Sequence, residues 1–408
     1  MSLKILWVLP YLPWPTSSGG KTRQFNLLQA LARAGHRITL LVQSKVALDD
    51  DSRQALEPLL ERLIVLPRRP VRSPKTLLAI AASPLPMLAS INGYAPDLSR
   101  HFTDLLSETW DIVQIEHSYS FQPFERALQQ AGQPFILTEH NVESALGGAT
   151  YDRFPAWLKP LVILDQWRYR GWERRVMQQA EQVIAVTDQD AQALAQVLQK
   201  VLPVVVDGGD WPRYATVMPA YDSARLLFIG NYEYPPNVDA VEWALDEVMP
   251  KVWASRPDVC MTIAGHALPP AWRNRWADTR IEWHGFVPDL TALQSRAALF
   301  FAPLRQGGGS KLKVLEAMAA ALAVVTTAQG VSGLAVEAGV EYDGGDDAEA
   351  LALAVLRQLA SPLAAAQMGA AGRAYVNAEH DWMAVAEQLQ RVYATCLAGR
   401  AEGDVACV

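Results

Sequence analysis

Cysteine is scarce in this sequence. Three cysteines occur in 408 residues, an odd number without metal-ligand spacing. This argues against a disulfide framework and against a zinc site, and it fits a reducing cytoplasm. Apolar stretches of about 18 uninterrupted residues are absent as well, so the sequence predicts no membrane-spanning helix. The apolar run at residues 5–9 is short and is followed by prolines without a small-residue cleavage site, which indicates a buried strand and not a signal peptide.

A glycine fingerprint for dinucleotides is also missing. An oxidoreductase would open its first helix with G-x-G-x-x-G, but residues 10–15 read Pro-Tyr-Leu-Pro-Trp-Pro. The charge balance, 36 basic against 43 acidic residues for a net charge of −7, gives no reason to expect nucleic-acid binding. Half of the residues are hydrophobic and 19% are charged, as in folded globular proteins. The length exceeds what a single core usually supports, which predicts two domains.

Apolar segments of strand length alternate with helix-length stretches in both halves of the chain. The first half opens with residues 5–9 and a helix that ends at Gly35. The second half restarts with residues 226–229, after which Gly230 ends the strand and Asn237 is expected to cap a helix. This alternation predicts parallel sheets with right-handed crossovers. We therefore expect an α/β protein of two doubly wound Rossmann-like domains facing a cleft, with ligands at the carboxyl ends of the strands.

The sharpest chemical signal follows an apolar segment that ends at Ala302. Three glycines and Ser310 precede a predicted helix; glycine lets backbone amides approach a ligand, and a helix N-terminus attracts anions. Lys311 and Lys313 add positive charge, and a lysine in the first turn of a helix is unfavourable unless an anion is nearby. Glu316 follows at a distance suited to accepting hydrogen bonds from ribose hydroxyls. The segment predicts a diphosphate site; the alternative is a flexible loop before an amphipathic helix whose lysines are solvated.

The same segment resembles the C-terminal signature of glycosyltransferase family 4, retaining enzymes of the GT-B fold. The matching features are Glu316-Ala-Met-Ala with the apolar strand after it, the run 282–289 and the apolar segment 298–303. The opening strand, the Gly19-Gly20 loop and the next helix resemble the N-terminal part of the family. The resemblance therefore covers nearly the whole chain.

This resemblance implies a sugar transfer from a nucleotide-diphosphate donor to a hydroxyl of a saccharide or lipid-linked saccharide in bacterial polysaccharide biosynthesis. Glu316 would hold the donor ribose and Lys311 the diphosphate. The sequence departs from the family pattern where its first Glu falls at Gly308, and where two basic residues after a strand are replaced by Asn231 and Asn237. The other positions implied to bind substrate on the donor side are Gly19, Gly20, Gly230, Phe286, Val287, Arg305, Gly307, Gly309, Ser310 and Lys313.

The resemblance also implies a separate role for each part of the chain. Residues 1–206 would form the acceptor-side domain, and residues 207–380 the nucleotide-sugar-binding domain. Residues 381–408 would form a helix that crosses back to the first domain.

Polar side chains end two predicted strands of the first half. The strand at 111–116 leads into His117, and the next strand leads into Glu139, His140 and Asn141. Family 4 members carry a similarly placed histidine that touches the donor sugar, and His117 matches it. Glu139, His140 and Asn141 are expected to shape the acceptor pocket, because ligands gather at this edge of a parallel sheet. The alternatives are a histidine bonded at a strand end without a ligand, and an Asn-capped loop.

The sequence shows neither a nucleophile–base–orienter triad nor clustered metal ligands, so no metal and no cofactor is expected. The resemblance implies front-side attack with retention, in which the departing diphosphate is stabilised electrostatically. A nucleotide-sugar epimerase or a sugar-phosphate phosphorylase of the same architecture is an alternative. A non-catalytic nucleotide-sugar binding protein is another, because the first Glu is missing.

Two segments combine basic residues with apolar or aromatic ones. Residues 62–96 contain no acidic residue, and residues 153–175 place Trp157, Trp167 and Trp172 among arginines. Such surfaces suit an anionic leaflet, so we expect a cytoplasmic protein in peripheral contact with the anionic inner membrane. The alternative is that both segments pack on the first domain with their arginines directed outward.

Overall fold

The protein divides into two compact units, residues 1–206 with 385–408, and residues 207–384. The computed structural model describes residues 2–16, 18–45, 47–68, 83–93, 95–142, 144, 159–209, 211–307 and 311–406. Each unit has its own parallel sheet and its own hydrophobic core.

The first unit is built on a sheet of six strands. They are Lys4–Leu9 (β1), Arg37–Ser44 (β2), Arg62–Pro67 (β3), Ile112–Glu116 (β4), Ile136–Glu139 (β5) and Gln182–Ala185 (β6). All pairs are parallel, in the order β3-β2-β1-β4-β5-β6. The described helices are Gly19–Arg33 (α1), Asp50–Leu56 (α2), Met87–Gly93 (α3), Pro96–Leu105 (α4), Gln122–Ala131 (α5), Lys159–Gln179 (α6) and Asp188–Leu198 (α7). The continuous apolar run of β1 is buried from Ile5 to Leu9, as expected for a strand covered on both faces.

The second unit repeats this arrangement. Its strands are Arg225–Ile229 (β7), Cys260–Ala264 (β8), Ile281–His284 (β9), Leu299–Ala302 (β10), Ala323–Thr326 (β11) and Tyr342–Gly344 (β12). They are parallel, in the order β12-β11-β10-β7-β8-β9. The described helices are Pro235–Trp243 (α8), Met249–Ser255 (α9), Trp272–Arg275 (α10), Thr291–Arg296 (α11), Leu312–Ala319 (α12), Ala348–Ala360 (α13) and Pro362–Glu379 (α14). The predicted pair of doubly wound α/β sheets is confirmed, and each sheet reverses its strand order next to its first strand, where such folds bind ligands.

The last helix, Trp382–Ala406 (α15), begins in the second unit and continues into the first at Val385. Its Tyr393 is fully buried, and the hydroxyl donates a hydrogen bond to Oε1 of Gln114 in β4. Its Arg400 binds Glu181 at 2.5 Å and donates to the Asp111 carbonyl at 2.6 Å. These bonds attach the helix to the first sheet.

The start of α8 differs from the sequence prediction. Asn237 does not cap this helix, which begins two residues earlier at Pro235 with Tyr234 at its N-cap. Proline is favoured in the first turn because its missing N–H needs no partner there, and Pro235-Pro236 set the start accordingly. Asn237 is instead buried in the first turn, where its side chain donates to the Asn231 carbonyl at 2.7 Å.

The two basic segments, residues 62–96 and 153–175, contribute residues to both the core and the surface of the first unit. Trp172 does not belong to an exposed aromatic surface: it is buried and donates to the Ser118 carbonyl at 3.0 Å. Arg62 is ion-paired with Glu108 at 2.8 Å. Trp167 on α6 is 70% exposed, because it lies on the helix face opposite to the core. Residues 69–82, 94, 143 and 145–158, with Arg69, Arg72, Lys75 and Trp157, lie outside the described residues.

Among the described helices, no single one has both the length and the apolar character needed to cross a membrane. One consecutive pair, Ala348–Ala360 and Pro362–Glu379, meets the length and composition criteria when taken together, with a bend of 105° between its members.

Candidate functional site

The glycine-rich segment of the second unit follows β10 and leads into α12. Gly307 has a φ of +122°, a conformation that favours glycine. Its carbonyl accepts hydrogen bonds from Lys311 Nζ at 2.9 Å and from Gln329 Nε2 at 2.5 Å. A Cβ at Gly307 would lie 3.3 Å from the Tyr234 hydroxyl, so this loop packs against the start of α8. Gly308, Gly309 and Ser310 lie outside the described residues.

Two lysines stand at the start of α12. Lys311 is buried at the N-cap, and Lys313 is half-buried in the first turn. Lys313 donates to Oδ1 of Asn237, and its Nζ lies 5.1 Å from the centroid of the Phe228 ring. Burial and, after it, repulsion from the nearby Lys311 charge lower the pKa of Lys313 to about 7, against the attraction of Glu316. The sequence predicted Lys311 in the first turn of the helix; the structure differs, because the helix begins at Leu312 and Lys311 precedes it.

Glu316 is the next charged residue on α12. Burial raises the pKa of its carboxyl, and the Tyr214 hydroxyl, Arg213 and Lys313 oppose that rise. Tyr214 is itself buried, and burial together with the Glu316 charge raises its pKa. Sequence reasoning missed Arg213 and Tyr214, which come from the 3₁₀ turn Trp211–Tyr214. No local motif marks them, because about a hundred residues separate them from Glu316.

Other predicted donor-side residues are placed differently. The Arg305 guanidinium is ion-paired with Asp239 at 2.5 Å, so its charge is balanced within the unit. Gly230 lies against Asn237, whose Cγ would be 3.1 Å from a Cβ at the glycine. Asn231 is exposed, and its Oδ1 accepts from the Glu233 amide at 3.0 Å. Arg305 therefore has an internal partner, whereas the two asparagines organise the loop between β7 and α8.

Phe286 and Val287 follow β9. Phe286 is 71% exposed and Val287 is half-buried. A Cβ at the neighbouring Gly285 would meet no atom within 4 Å. The backbone of this turn is accordingly open to a ligand.

A buried carboxylate organises the corresponding edge of the first sheet. Glu116, at the end of β4, is fully buried. It accepts hydrogen bonds from Trp7 Nε1 at 3.0 Å, Gln24 Nε2 at 2.7 Å, Gln114 Nε2 at 2.6 Å and His140 Nε2 at 2.8 Å. Burial favours the neutral acid, but the bond and charge of His140, with Gln114, outweigh it and hold the pKa of Glu116 below its usual range. None of the three donors Trp7, Gln24 and Gln114 was predicted; Trp7 and Gln24 come from β1 and α1, far from Glu116 in the sequence.

His117 lies directly above this network. Its ring stacks on His140 with centroids 4.3 Å apart and on Tyr119 at 4.7 Å, and its Nε2 is 3.3 Å from the Tyr11 hydroxyl. Burial, with repulsion from His140, lowers the pKa of His117 well below its usual value. The ring is therefore neutral at physiological pH. Its backbone φ of +63° is strained for a non-glycine residue, a feature that clusters at functional sites.

The remaining predicted residues of the first unit surround these histidines. A Cβ at Gly20 would lie 2.8 Å from the Tyr11 hydroxyl, whereas one at Gly19 would meet nothing within 4 Å. Glu139 is fully buried and accepts from the Ser118 amide at 2.8 Å, so it fixes the loop after β4. Asn141 is half-buried after β5. The structure thus brings Gly20, His117 and His140 together and leaves Glu139 beneath them.

Two known protein families match different parts of the chain. Residues 18–209 match the "Glycosyl transferase 4-like domain", and residues 223–361 match "Glycosyl transferases group 1". The chain is a family-4-like glycosyltransferase of the GT-B fold. The sequence resemblance to family 4 is thereby confirmed.

Individual relatives of this glycosyltransferase are distant. An uncharacterized 44.6 kDa protein in the cps region of Klebsiella pneumoniae is 24% identical over 347 residues, 81% of this chain and 84% of that protein. The phosphatidyl-myo-inositol mannosyltransferase of Mycobacterium tuberculosis is 32% identical over 192 residues, 44% of this chain and half of that enzyme. The crystal structure of Anabaena HepE in complex with UDP and glucose has a TM-score of 0.62 at 15% identity, covering 96% of this chain and 99% of that one. This last likeness shows the shared fold.

Proposed function

We propose that this glycosyltransferase moves a sugar, with retention, from a nucleoside-diphosphate donor to a hydroxyl of a saccharide or lipid-linked saccharide in bacterial polysaccharide biosynthesis. One observation carries the proposal: two lysines and a half-buried glutamate lie together in the first turns of α12, beside a glycine with positive φ. A diphosphate needs positive charge and a ribose needs a hydrogen-bond acceptor, and this cluster supplies both. The UDP and glucose in HepE and the mannosyltransferase relative support a nucleotide-sugar donor.

The donor is proposed to lie along the carboxyl edge of the second sheet. Lys311 and Lys313 face the diphosphate, and the Glu316 carboxylate accepts hydrogen bonds from the ribose hydroxyls. The open turn at Phe286 and Val287 receives the base through its backbone. The backbone at Gly308–Ser310 is proposed to approach the sugar and the phosphates.

The proposed transfer needs no covalent enzyme intermediate. The bond between the anomeric carbon and the phosphate oxygen breaks, and the acceptor oxygen bonds to the anomeric carbon on the face that the diphosphate leaves. The acceptor proton passes to the departing phosphate oxygen. Negative charge grows on the diphosphate in this step, so lysine charge and backbone amides aimed at it lower the barrier.

The first unit is proposed to hold the sugar and the acceptor. His117, neutral and fixed between Tyr119 and His140, offers a hydrogen bond to a sugar hydroxyl. His140 and Asn141, at the end of the next strand, are proposed to line the acceptor pocket with the Gly19-Gly20 loop.

The direct test is a donor screen. The protein is incubated with UDP-glucose, UDP-galactose, UDP-N-acetylglucosamine and GDP-mannose, with and without extracted lipid-linked saccharides, and nucleoside diphosphate release is measured. We expect one donor to give acceptor-dependent release, and the anomeric coupling constant of the product, read by NMR, to match that of the donor. The proposal fails if none of these donors binds in calorimetry; an inverted product refutes retention alone.

We also propose peripheral contact with an anionic membrane through α6. Leu161, Ile163, Leu164 and Trp167 are exposed on this helix, and Arg170 and Arg174 are exposed one and two turns further on. Neither arginine has an ion pair with any residue that the structure describes, and apolar side chains beside such surface charge suit an anionic bilayer surface.

A vesicle assay tests this contact. The protein should co-sediment with phosphatidylglycerol vesicles, and salt should release it. Replacing Arg170 and Arg174 by serine should weaken sedimentation, whereas Arg175→Ser should change little, because Arg175 is already ion-paired with Glu125. Equal sedimentation with neutral phosphatidylcholine vesicles would contradict electrostatic docking.

A further inference from the structure

Lys313 is half-buried and has few partners for an ammonium group among the described residues. There it donates a hydrogen bond to the neutral side chain of Asn237, and it lies over the face of the Phe228 ring. Among the described residues, no carboxylate lies within 4.0 Å of its Nζ. A charge withdrawn from water without a counter-ion is costly, and such a group tends to give up its proton or to acquire a partner.

The charged groups around Lys313 do not supply that partner. On α12, Lys311 repels its charge and Glu316 attracts it, but Glu316 is shared with Arg213 and Tyr214 of the packed 3₁₀ turn. On α8, the carboxylate of Asp239 is ion-paired with Arg305. Burial and, after it, repulsion from Lys311 therefore act together on Lys313 and lower its pKa to about 7.

We propose that Lys313 takes up a proton when the donor diphosphate binds, so that it is largely a neutral amine in the free enzyme near pH 8 and an ammonium in the complex. This inference rests on the proposed function, because it needs a diphosphate beside Lys311 and Lys313. The diphosphate supplies the missing counter-ion and outweighs the repulsion between the two lysines. Asn237 suits both states, since its carbonyl accepts from either an amine or an ammonium.

Proton uptake on binding determines how donor affinity changes with pH. Below pH 7, Lys313 is already protonated, and donor affinity should not change with pH. Above pH 7, each binding event must first recover a proton, so the dissociation constant should rise with pH, approaching tenfold per pH unit until the pH reaches the higher pKa of Lys313 in the complex.

Calorimetry tests this with UDP-glucose or GDP-mannose, whichever binds more tightly, at pH 6.5, 7.5 and 8.5. The diphosphate of an intact sugar nucleotide does not titrate in this range, so the enzyme is the source of any pH effect. Titrations in two buffers of different ionisation enthalpy count the protons taken up. We expect uptake to be well below one proton at pH 6.5 and to approach one at pH 8.5, while the dissociation constant rises more than tenfold.

Three variants distinguish Lys313 from other groups. Lys313→Arg keeps the charge but cannot lose its proton, so binding should persist with neither uptake nor pH dependence. Lys311→Met removes the repulsion but not the burial, so the pKa of Lys313 should rise and proton uptake at pH 7.5 should shrink. Lys251→Met is the control, because Lys251 is exposed and ion-paired with Glu349, and it should behave as wild type.

A measurement without ligand separates this inference from the proposed function. With ¹³C-labelled lysine, one Cε NMR signal should titrate with a midpoint near pH 7 and be absent in Lys313→Arg. A midpoint above pH 9, or tight binding of the sugar nucleotide with no pH dependence, overturns the inference and leaves the proposed function intact. Failure of both sugar nucleotides to bind at any of these pH values overturns both.

Discussion

Replacing Glu316 by glutamine should weaken nucleotide binding and stabilise the fold at the same time. In the free protein the half-buried carboxylate lies near Tyr214. Withdrawal from water raises its pKa, so its charge opposes folding at neutral pH. In the proposed complex the same carboxylate accepts hydrogen bonds from the ribose hydroxyls. One substitution therefore measures both the cost of the carboxylate charge to folding stability and its contribution to nucleotide binding.

The binding effect follows from the loss of a charge-assisted hydrogen bond. Such a bond contributes about 1.5–3 kcal/mol, which corresponds to a roughly ten- to hundredfold rise in the dissociation constant for the nucleoside diphosphate. Glutamine keeps one acceptor oxygen, so Glu316→Gln should fall near the lower limit and Glu316→Ala near the upper one. Loss of the acceptor should affect the diphosphate product and the sugar nucleotide similarly, because the ribose is common to both.

The stability effect has a definite sign. A carboxyl whose pKa is raised in the folded state stabilises the fold below its unfolded pKa, about 4.3, and loses that contribution as pH rises through the folded value. Glu316→Gln should therefore raise the Tm at pH 7.5, and the difference should vanish near pH 4, where both forms are neutral.

The assays are calorimetric titration with UDP and GDP, and thermal unfolding at the two pH values. Unchanged affinity would remove Glu316 from the donor site. A lower Tm at pH 7.5 would show that the attractions of Arg213 and Lys313 exceed the burial cost, contrary to the raised pKa.

Three further outcomes are expected. Lys311→Met should lower kcat by roughly two to three orders of magnitude with a smaller change in donor KM, measured by diphosphate release. If KM rises by that factor and kcat stays unchanged, Lys311 acts only in donor binding. Gly20→Ala should displace the Tyr11 hydroxyl, which a Cβ would approach to 2.8 Å, and so reduce kcat by loosening His117. Gly19→Ala should match wild type because its surroundings are open. Equal rates for the two variants would show that the contact with Tyr11 does not contribute to catalysis. Treatment with EDTA should leave the rate unchanged, because lysine charge faces the diphosphate in the proposed mechanism; recovery of a lost rate by added magnesium would contradict this.

Sequence reasoning found the segments whose information is local. The apolar runs that became β1 and β7, each followed by a helix, were enough to predict two parallel sheets, because a doubly covered strand has a continuous apolar sequence. The run from Gly307 to Glu316 was enough to predict an anion site. Its glycines, lysines and glutamate belong to a single loop and helix, so their relative positions follow from the local sequence.

The same reasoning was wrong at the start of α8, where two local signals competed. Asn237 is a good capping residue, but the prolines before it begin α8 earlier. Trp167 and Trp172 looked equivalent in one arginine-rich segment, yet their different positions around α6 place one in solvent and the other in the core.

Sequence alone determined the fold class, the family and the position of the lysine–glutamate motif, since all three are written in patterns within short stretches of chain. Only the tertiary structure placed Tyr214 beside Glu316, set Lys313 against Asn237 and the Phe228 ring, and gathered Trp7, Gln24 and His140 around Glu116. These contacts join residues from separate elements or depend on where a helix begins. The protonation states they set follow from burial and from distances between charges, which exist only once the chain is folded.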